Sequence, residues 1–247
     1  MDEGKGRLMS LKICAALIAL ASPAFALAMP VVAIADYCPT NGNTLAKSSM
    51  VEAIEKAGFA VTVVPFSTDD ARLEAALRGA DALMVGGGIG KLQDYPRRRE
   101  FELRMIRLAL ARNLPVAGVC HGSQIINVYF GGTLTPTPAD AAPRIVHKLP
   151  PPKRVTDNYH LATVAPGTRI AKVLGSGEVR INSSHTMRSE EIGKGLKVTA
   201  RAADGVVEAF EHETLPVMGF QFHPERMTDD PKFVELLRVA LSPVNGK

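Results

Sequence analysis

The sequence contains no tryptophan and few aromatic residues, which make up 5% of its 247 residues. No stripe of Lys and Arg interleaves with aromatic side chains, and the formal net charge is only +4. These absences argue against a nucleic-acid partner, because such surfaces combine concentrated positive charge with stacking rings. Internal repeats and low-complexity tracts are also absent. With 46% hydrophobic residues, a chain of this length can bury one large core.

Long hydrophobic runs are missing as well. The apolar stretch near the N-terminus, residues 13–21, is far shorter than the roughly 20 residues that a membrane-spanning helix needs. It follows a basic start near Met9 and ends in small residues, with cleavage expected near Ala26 or Ala28. The pattern predicts a signal peptide over residues 1–28, export to the periplasm or the medium, and no stable membrane span after cleavage. An uncleaved anchor is the alternative, but no stop-transfer segment follows.

Apolar runs of strand length alternate with amphipathic segments of helix length in the first half of the remaining chain. This alternation predicts an α/β fold with a doubly wound, mainly parallel sheet and helices on both faces. The second half predicts a smaller antiparallel excursion with a hairpin at Asp204-Gly205, and a C-terminal helix from Pro231. One domain is expected over residues 29–247. The predicted strands include 30–36, 59–66, 81–85, 115–119, 155–164, 179–181 and 216–222, and the predicted helices include 46–58, 69–79 and 96–113.

The stretch LPVAGVCHGSQIINVYF, residues 114–130, contains two apolar runs separated by a glycine-flanked cysteine. It predicts a buried strand, a sharp turn and a buried helix, with Cys120 at the apex as in a nucleophile elbow. A side chain at Gly118 or Gly122 would collide with the neighbouring strand or helix. We expect a strained turn that exposes the sulfur above the sheet edge, facing the N–H groups of the helix's first turn. A buried structural cysteine is the alternative.

Another apolar run ends in GFQFHPE, residues 219–225. In an extended segment His223 and Glu225 point to the same side, so the carboxylate can orient the imidazole. Cys120 and His223 both follow strands of the predicted parallel sheet and are therefore expected at one edge of it. Alone, His223 fits a structural histidine. Together with the elbow, it predicts a base beside a cysteine nucleophile.

These two motifs, GVCHGSQ and GFQFHPE, resemble those of the class I glutamine amidotransferase superfamily. The segments between them, including MVGGGIG, IINVYFGGTL, INSSH and GVVEAFEH, are similar to its gamma-glutamyl hydrolase branch, which includes gamma-glutamyl-gamma-aminobutyrate hydrolases. The resemblance extends from Pro30 to about Leu241. It implies a flavodoxin-like fold and hydrolysis of a small-molecule gamma-glutamyl amide through a thioester, with no metal or other cofactor. The amine-side group and the oligomeric state stay open.

The resemblance also implies roles for individual residues. The positions that match the catalytic triad are Cys120 (nucleophile), His223 (general acid and base) and Glu225 (orienting carboxylate). The oxyanion hole corresponds to backbone N–H groups of His121 and of Gly87 or Gly88. The positions that match the substrate pocket are Gln124, Asn182, Ser183 and His185. Without the resemblance, residues 182–185 fit a polar loop that bonds its own backbone.

The resemblance is not complete near the pocket, and the differences affect the predicted substrate more than the triad. The departing positions are Gly90, His121, Ser123, Met187 and Phe222. Two other functions are therefore alternatives. One is a glutaminase module that supplies ammonia to a partner synthetase, and the other is a binding protein that keeps the fold without the reaction.

Two further features have two interpretations each. The run Arg97-Arg98-Arg99 opens a predicted helix and is interpreted as a solvated cap, with recruitment of polyanionic gamma-glutamyl chains as the alternative. Cys38 and Cys120 are the two cysteines left after signal cleavage, too few for a disulfide framework. Cys38 is interpreted as a small loop residue, or as a thiol that traps Cys120 in a reversible disulfide under oxidation.

Overall fold

The computed structural model describes residues 29–35, 48–88, 92–138 and 145–244. The predicted signal peptide, Cys38 and Gly90 lie outside these ranges, so what the sequence predicts for them stays a prediction. Within the ranges, no helix combines the length and the apolar character that crossing a membrane requires.

Strands and helices alternate in the first half of the described chain, as the sequence predicts. The strands are β1 (Val31–Ala35), β2 (Ala60–Val64), β3 (Ala82–Val85), β4 (Val116–Val119), β5 (Leu134–Pro136), β6 (Tyr159–Val164), β7 (Gly177–Asn182), β8 (Met187–Ser189), β9 (Leu196–Ala202), β10 (Val207–His212) and β11 (Val217–Phe220). The α-helices are α1 (Ser48–Lys56), α2 (Asp70–Leu77), α3 (Pro96–Ala111), α4 (His121–Tyr129), α5 (Arg169–Leu174) and α6 (Pro231–Leu241). Short 3-10 turns occur at Leu92–Asp94, Val155–Asp157 and Pro224–Arg226.

In the described part of the chain, nine strands form one sheet in the order β2-β1-β3-β4-β11-β10-β9-β6-β7. The five strands from β2 to β11 pair in parallel. The pairs from β11 to β7 are antiparallel. The predicted doubly wound α/β fold of the flavodoxin-like class, with its antiparallel excursion, is therefore confirmed. Strands β5 and β8 form a separate antiparallel pair.

Two apolar layers cover the sheet, one on each face. Side chains of α1, α5 and α6 form one layer, and side chains of α2, α3 and α4 form the other. Strands β3 and β4 are buried at every position, which explains their continuous apolar sequence. Burying one Leu or Phe side chain contributes about 1.5–3 kcal/mol. Because helices occupy both faces, the carboxyl ends of the parallel strands are left for a functional site.

The second half differs from the prediction in three places, and the first is the pair of strands β5 and β8, which was not predicted. The predicted strand 155–164 begins only at Tyr159, because Asp157 accepts a hydrogen bond from the Arg154 N–H at 2.7 Å and closes a 3-10 turn. Helix α5 was not predicted from the sequence. Its signals are a Thr168 side chain that caps Ala171 N at 3.2 Å and a glycine, Gly175, that ends it with a φ of 87°.

Candidate active site

Cys120 lies at the turn between β4 and α4, with φ of 52° and ψ of −107°. Residues other than glycine rarely adopt this conformation. A Cβ at Gly118 would lie 2.5 Å from the backbone of Gly122, and a Cβ at Gly122 would lie 1.9 Å from the carbonyl oxygen of Val85. The predicted strand, turn and helix are thus present, and lack of space explains both glycines. In contrast to the expected exposed sulfur, Cys120 is only 7% exposed and borders a cavity.

His223 reaches the same sheet edge because β11 pairs in parallel with β4. The Cys120 N–H donates to the Phe220 carbonyl at 2.7 Å, which ties the elbow to the strand that leads to His223. Asn182 holds the backbone of His223 from the other side. Its Oδ1 accepts from the His223 N–H at 2.8 Å, and its Nδ2 donates to the His223 carbonyl at 2.9 Å. A main-chain bond thus links the elbow to β11, and the Asn182 side chain fixes the backbone of His223.

Glu225 orients the imidazole of His223, with 2.8 Å between Oε1 and Nδ1. The contact forms across the 3-10 turn Pro224–Arg226 rather than along the extended segment expected from the sequence. Burial is the largest influence on the pKa of His223 and lowers it. The charges of Glu225 and Cys120 and their hydrogen bonds to the imidazole outweigh burial and raise the pKa of His223 to about 10. The protonated imidazole is therefore the stable form at neutral pH.

The backbone around Gly87 closes the site opposite the elbow. A Cβ at Gly87 would lie 3.4 Å from Cε1 of His223 and 3.7 Å from Cβ of Cys120, so this main chain adjoins both reacting side chains. Gly88 lines the cavity beside it. His121 begins α4, and the N–H groups of a first helical turn have no partner within the helix. The predicted oxyanion residues therefore surround Cys120.

A buried ion-pair chain supports the elbow from below. Arg98 Nε lies 2.8 Å from Glu102 Oε1, and Glu102 Oε2 lies 2.8 Å from Nε2 of His121. Burial opposes ionisation of Glu102, but the charges of His121 and Arg98 hold the pKa of this carboxyl below its usual range. Arg98 is 1% exposed, so the interpretation of the arginine run as a solvated cap is wrong at this position. A Cβ at Gly88 would lie 1.9 Å from Nη1 of Arg98, which explains that glycine.

A cavity of about 580 Å³ opens above Cys120 and His223. Two of the predicted pocket residues, Gln124 and His185, line it. Nε2 of Gln124 donates to the Met187 carbonyl at 2.9 Å and to Oε1 of Gln221 at 3.1 Å. The charged residues of the wall, which the sequence analysis missed, are Asp94, Lys148, Arg154 and Arg226. Of these, Arg226 had a visible signal, because it directly follows the His-Pro-Glu motif.

The other two predicted pocket residues lie behind the cavity wall. Asn182 is fully buried and its amide group serves the backbone of His223. Ser183 is also fully buried, and its hydroxyl donates to the His147 carbonyl at 2.9 Å. Ser184 and Thr186 line the cavity in their place. Apart from His185, this segment therefore lines the cavity with residues other than those that the resemblance implies.

Comparison with known proteins places this geometry in a family. The sequence profile of the family described as Peptidase C26 matches residues 30–225. The chain belongs to the Peptidase C26 family. In this Peptidase C26 chain the matched range includes the elbow, the glycine loop at Gly87 and the whole His-Pro-Glu motif. The family is of the class I glutamine amidotransferase-like type, so that part of the resemblance is confirmed.

Two similar proteins both carry a glutamine amidotransferase name. The Peptidase C26 chain is 33% identical over 132 residues to "Putative glutamine amidotransferase PB2B2.05" of Schizosaccharomyces pombe, covering 53% of this chain and 51% of that protein. It is 31% identical over 207 residues to "Putative glutamine amidotransferase Rv2859c" of Mycobacterium tuberculosis, covering 77% of this chain and 65% of that protein. The chain thus spans between half and two thirds of the length of these two relatives.

A solved structure from Thermoplasma acidophilum, described as a "putative gmp synthase subunit a protein", superposes with a TM-score of 0.65. It is 20% identical and covers 87% of this chain and 94% of that chain, which supports the fold. Family membership and the cysteine site therefore agree in placing the chain among class I glutamine amidotransferase-like proteins.

Proposed function

We propose that this chain is an exported cysteine hydrolase that cleaves gamma-glutamyl amide bonds. The observation that supports the reaction most directly lies at the cavity floor, where Cys120 adjoins His223 and His223 lies 2.8 Å from Glu225. The charges of the cavity wall support the substrate class. The pattern of residues 1–28 supports export.

The proposed reaction passes through a thioester. The Cys120 thiolate attacks the amide carbon, and the oxyanion that forms accepts hydrogen bonds from the N–H groups of His121 and of Gly87 or Gly88. The protonated imidazole of His223 gives its proton to the amine as the C–N bond breaks, which leaves an acylated sulfur. Water then gives a proton to His223 and attacks the thioester. The acid is released and the thiolate is restored.

The wall charges fit a gamma-glutamyl head group, which carries one ammonium and one carboxylate. Asp94 complements the ammonium, and the cations Lys148, Arg154 and Arg226 complement the carboxylate. Two of the three cations also lie near carboxylates of the protein, Arg226 3.6 Å from Glu225 and Arg154 3.9 Å from Asp157. Among the described residues of the wall, Lys148 is therefore the cation that is left for a second anionic group. We therefore propose that amines which themselves carry a carboxylate are preferred leaving groups.

The test compares two amides of similar length, gamma-glutamyl-gamma-aminobutyrate and gamma-glutamyl-butylamide. We expect kcat/KM to be about tenfold or more higher for the first, since one charge-assisted hydrogen bond is worth about 1.5–3 kcal/mol. Lys148→Gln should narrow the ratio of the two kcat/KM values. Arg238→Gln is the matched control, because Arg238 pairs with Glu235 outside the cavity. Cys120→Ala should remove turnover of both amides.

The names of the relatives favour a second candidate, a glutaminase module of an amidotransferase. Glutamine measured beside the two substituted amides separates the candidates. Rapid hydrolysis of glutamine without turnover of either substituted amide would support the glutaminase module instead. Binding of all three compounds without any turnover by folded wild-type protein would support a non-catalytic binding protein.

A further inference from the structure

A second cluster of ionisable side chains lies behind the cavity wall. His147, His160 and His185 surround the carboxylate of Glu208, whose side chain is fully buried. The ring centroid of His147 lies 4.9 Å from that of His160 and 4.7 Å from that of His185. None of these four side chains takes part in the reaction proposed above.

The outward nitrogen of each ring has an acceptor that determines where the ring carries its proton. Nε2 of His147 lies 2.8 Å from Oδ2 of Asp204. Nδ1 of His160 lies 3.1 Å from the carbonyl of Leu161, and Nδ1 of His185 lies 3.1 Å from the carbonyl of Met187. Since carboxylates and carbonyls only accept, each neutral ring carries its proton on the outward nitrogen. Each inward nitrogen then presents a lone pair.

The three inward nitrogens converge on one oxygen. Oε1 of Glu208 lies 3.3 Å from Nδ1 of His147, 3.3 Å from Nε2 of His160 and 3.6 Å from Nε2 of His185. Nδ1 of His147 also lies 3.5 Å from Oγ of Ser183. Among the described residues, neither oxygen of Glu208 nor Nε2 of His160 or His185 makes a hydrogen bond. Four acceptor atoms, the three inward nitrogens and Oε1 of Glu208, therefore face one another. In the part of the chain that the structure describes, most of these contacts have no proton to share.

Such a cluster requires a positive charge at its centre. A single proton on one ring can satisfy only one of the three contacts to Glu208. A metal ion between Glu208, His147 and His160 satisfies the two shorter contacts at once. In a tetrahedral site with metal–ligand distances of about 2.0–2.1 Å, neighbouring ligand atoms lie about 3.3–3.4 Å apart. The two shortest separations have this value.

We infer that His147, His160 and Glu208 bind a divalent transition-metal ion of the zinc type. The ligand atoms of these three residues all lie within 4.8 Å of one another. Imidazole with one carboxylate is a donor set that suits Zn²⁺. The Asp204 carboxylate and the Leu161 carbonyl supply the outer contacts that orient metal-binding histidines. This inference does not depend on the proposed reaction, and it departs from the sequence-based expectation of no metal.

The backbone of β10 directs Glu208 to this point. Val207 pairs with Arg201 and Ala209 pairs with Ala200, so Glu208 is an extra residue in a β-bulge. Bulges commonly redirect a side chain next to a functional site. His185 lies three residues beyond Asn182, which holds His223, and it also lines the cavity. An ion here would therefore stiffen the segment behind the active site, which makes it a structural site.

The test measures zinc in the full chain. After zinc loading and desalting, elemental analysis should find about one equivalent per chain in wild type, and a competing chelator gives the affinity. His160→Ala should lower this affinity by more than about 100-fold, and Asp204→Asn, which removes an outer contact, by about 10- to 100-fold. His160 lies on β6, next to the edge strand β7, and its side chain is only 7% exposed, so its alanine variant must be shown to fold. Circular dichroism checks this.

Two controls locate the ion. Cys120→Ala must still bind about one equivalent of zinc per chain, because an ion on the catalytic cysteine would be lost with the thiol. His212→Ala must keep it too, since His212 lies outside the cluster. Zinc should also raise the Tm of wild type, and a chelator should reverse the rise. Folded wild type that binds no zinc, or zinc that is lost in Cys120→Ala but kept in His160→Ala, would overturn the inference.

Discussion

Cys120 has a backbone conformation that its neighbours must impose. A non-glycine residue in such a region costs about 1–3 kcal/mol. The Cys120 N–H donates to the Phe220 carbonyl of the neighbouring strand β11. The Cys120 carbonyl accepts from the Gln124 N–H of α4 at 3.2 Å. These bonds hold the thiol at the cavity floor beside His223. The strain is thus maintained by the strand and the helix that the elbow connects.

Glu225→Gln tests the electrostatic role of the carboxylate next to His223. Without the charge of Glu225, the pKa of His223 should fall from its raised value of about 10. We expect the alkaline limb of the pH profile of kcat/KM to move to lower pH. We also expect kcat at neutral pH to fall by about 10²-fold, less than in Cys120→Ala. An unchanged alkaline limb would contradict the role given to Glu225.

The raised pKa of His223 also predicts how the free energy of unfolding depends on pH. A group whose pKa is raised on folding stabilises the fold fully below its unfolded pKa and loses that contribution as the pH rises through its folded pKa. For His223 this window runs from about 6.5 to about 10. Urea unfolding of wild type should therefore show a loss of stability across that window. Glu225→Gln should show a smaller loss, because less of the shift remains.

Helix α3 contains one buried and one exposed Arg–Glu pair, so the exposed pair can serve as the control for the buried pair. Glu102→Gln leaves the guanidinium of Arg98 buried without its counter-charge, and we expect the free energy of unfolding to fall by about 3–5 kcal/mol. Glu100→Gln breaks the pair with Arg104, whose side chains are 33% and 51% exposed. Its effect should be much smaller. Equal effects in urea unfolding would show that the buried chain below the elbow does not stabilise the protein.

The junction of β3, β4 and α4 depends on close backbone approach at Gly122. In Gly122→Ala the new Cβ meets the Val85 carbonyl, so the elbow must shift, and we expect a loss of at least about 3 kcal/mol in stability together with most activity. Gly79→Ala is the matched control, because a Cβ at Gly79 meets no atom within 4 Å. It should change stability by no more than about 0.5 kcal/mol. A fully active Gly122→Ala protein would mean that the elbow has more room than the structure shows.

For the molecule as a whole, the fate of its N-terminus is the open prediction. If residues 1–28 are a signal peptide, mass spectrometry of the exported protein should find a chain that begins near Leu27 or Met29. Leu17→Arg, which interrupts the apolar stretch, should keep the protein in the cytoplasm uncleaved. Wild-type protein recovered only in the cytoplasm with an intact Met1 or Met9 would remove the argument for export and favour a cytoplasmic partner synthetase.

Several features could be predicted because their causes are local in the sequence. Strands buried on both faces have continuous apolar sequences, and β1, β3 and β4 were recognisable for that reason. The start of α6 follows from Asp230 as the N-cap and Pro231 in the first turn. The two glycines of the elbow follow from the space that a strand, a turn and a helix need. Propensity, turn chemistry and spacing act over a few residues, so they can be seen in the sequence alone.

Other features depend on which surfaces meet after the sheet has assembled. The burial of Arg98 depends on the packing of α3 under the glycine loop. The use of Asn182 as a support for His223 depends on the end of β7 meeting the segment that follows β11. Glu208 and the three histidines around it come from separate strands and loops, and no spacing in the sequence relates them. Burial and pairing between distant segments are properties of the packed chain. Only the tertiary structure therefore determined which polar residues of this protein reach the cavity and which are enclosed behind it.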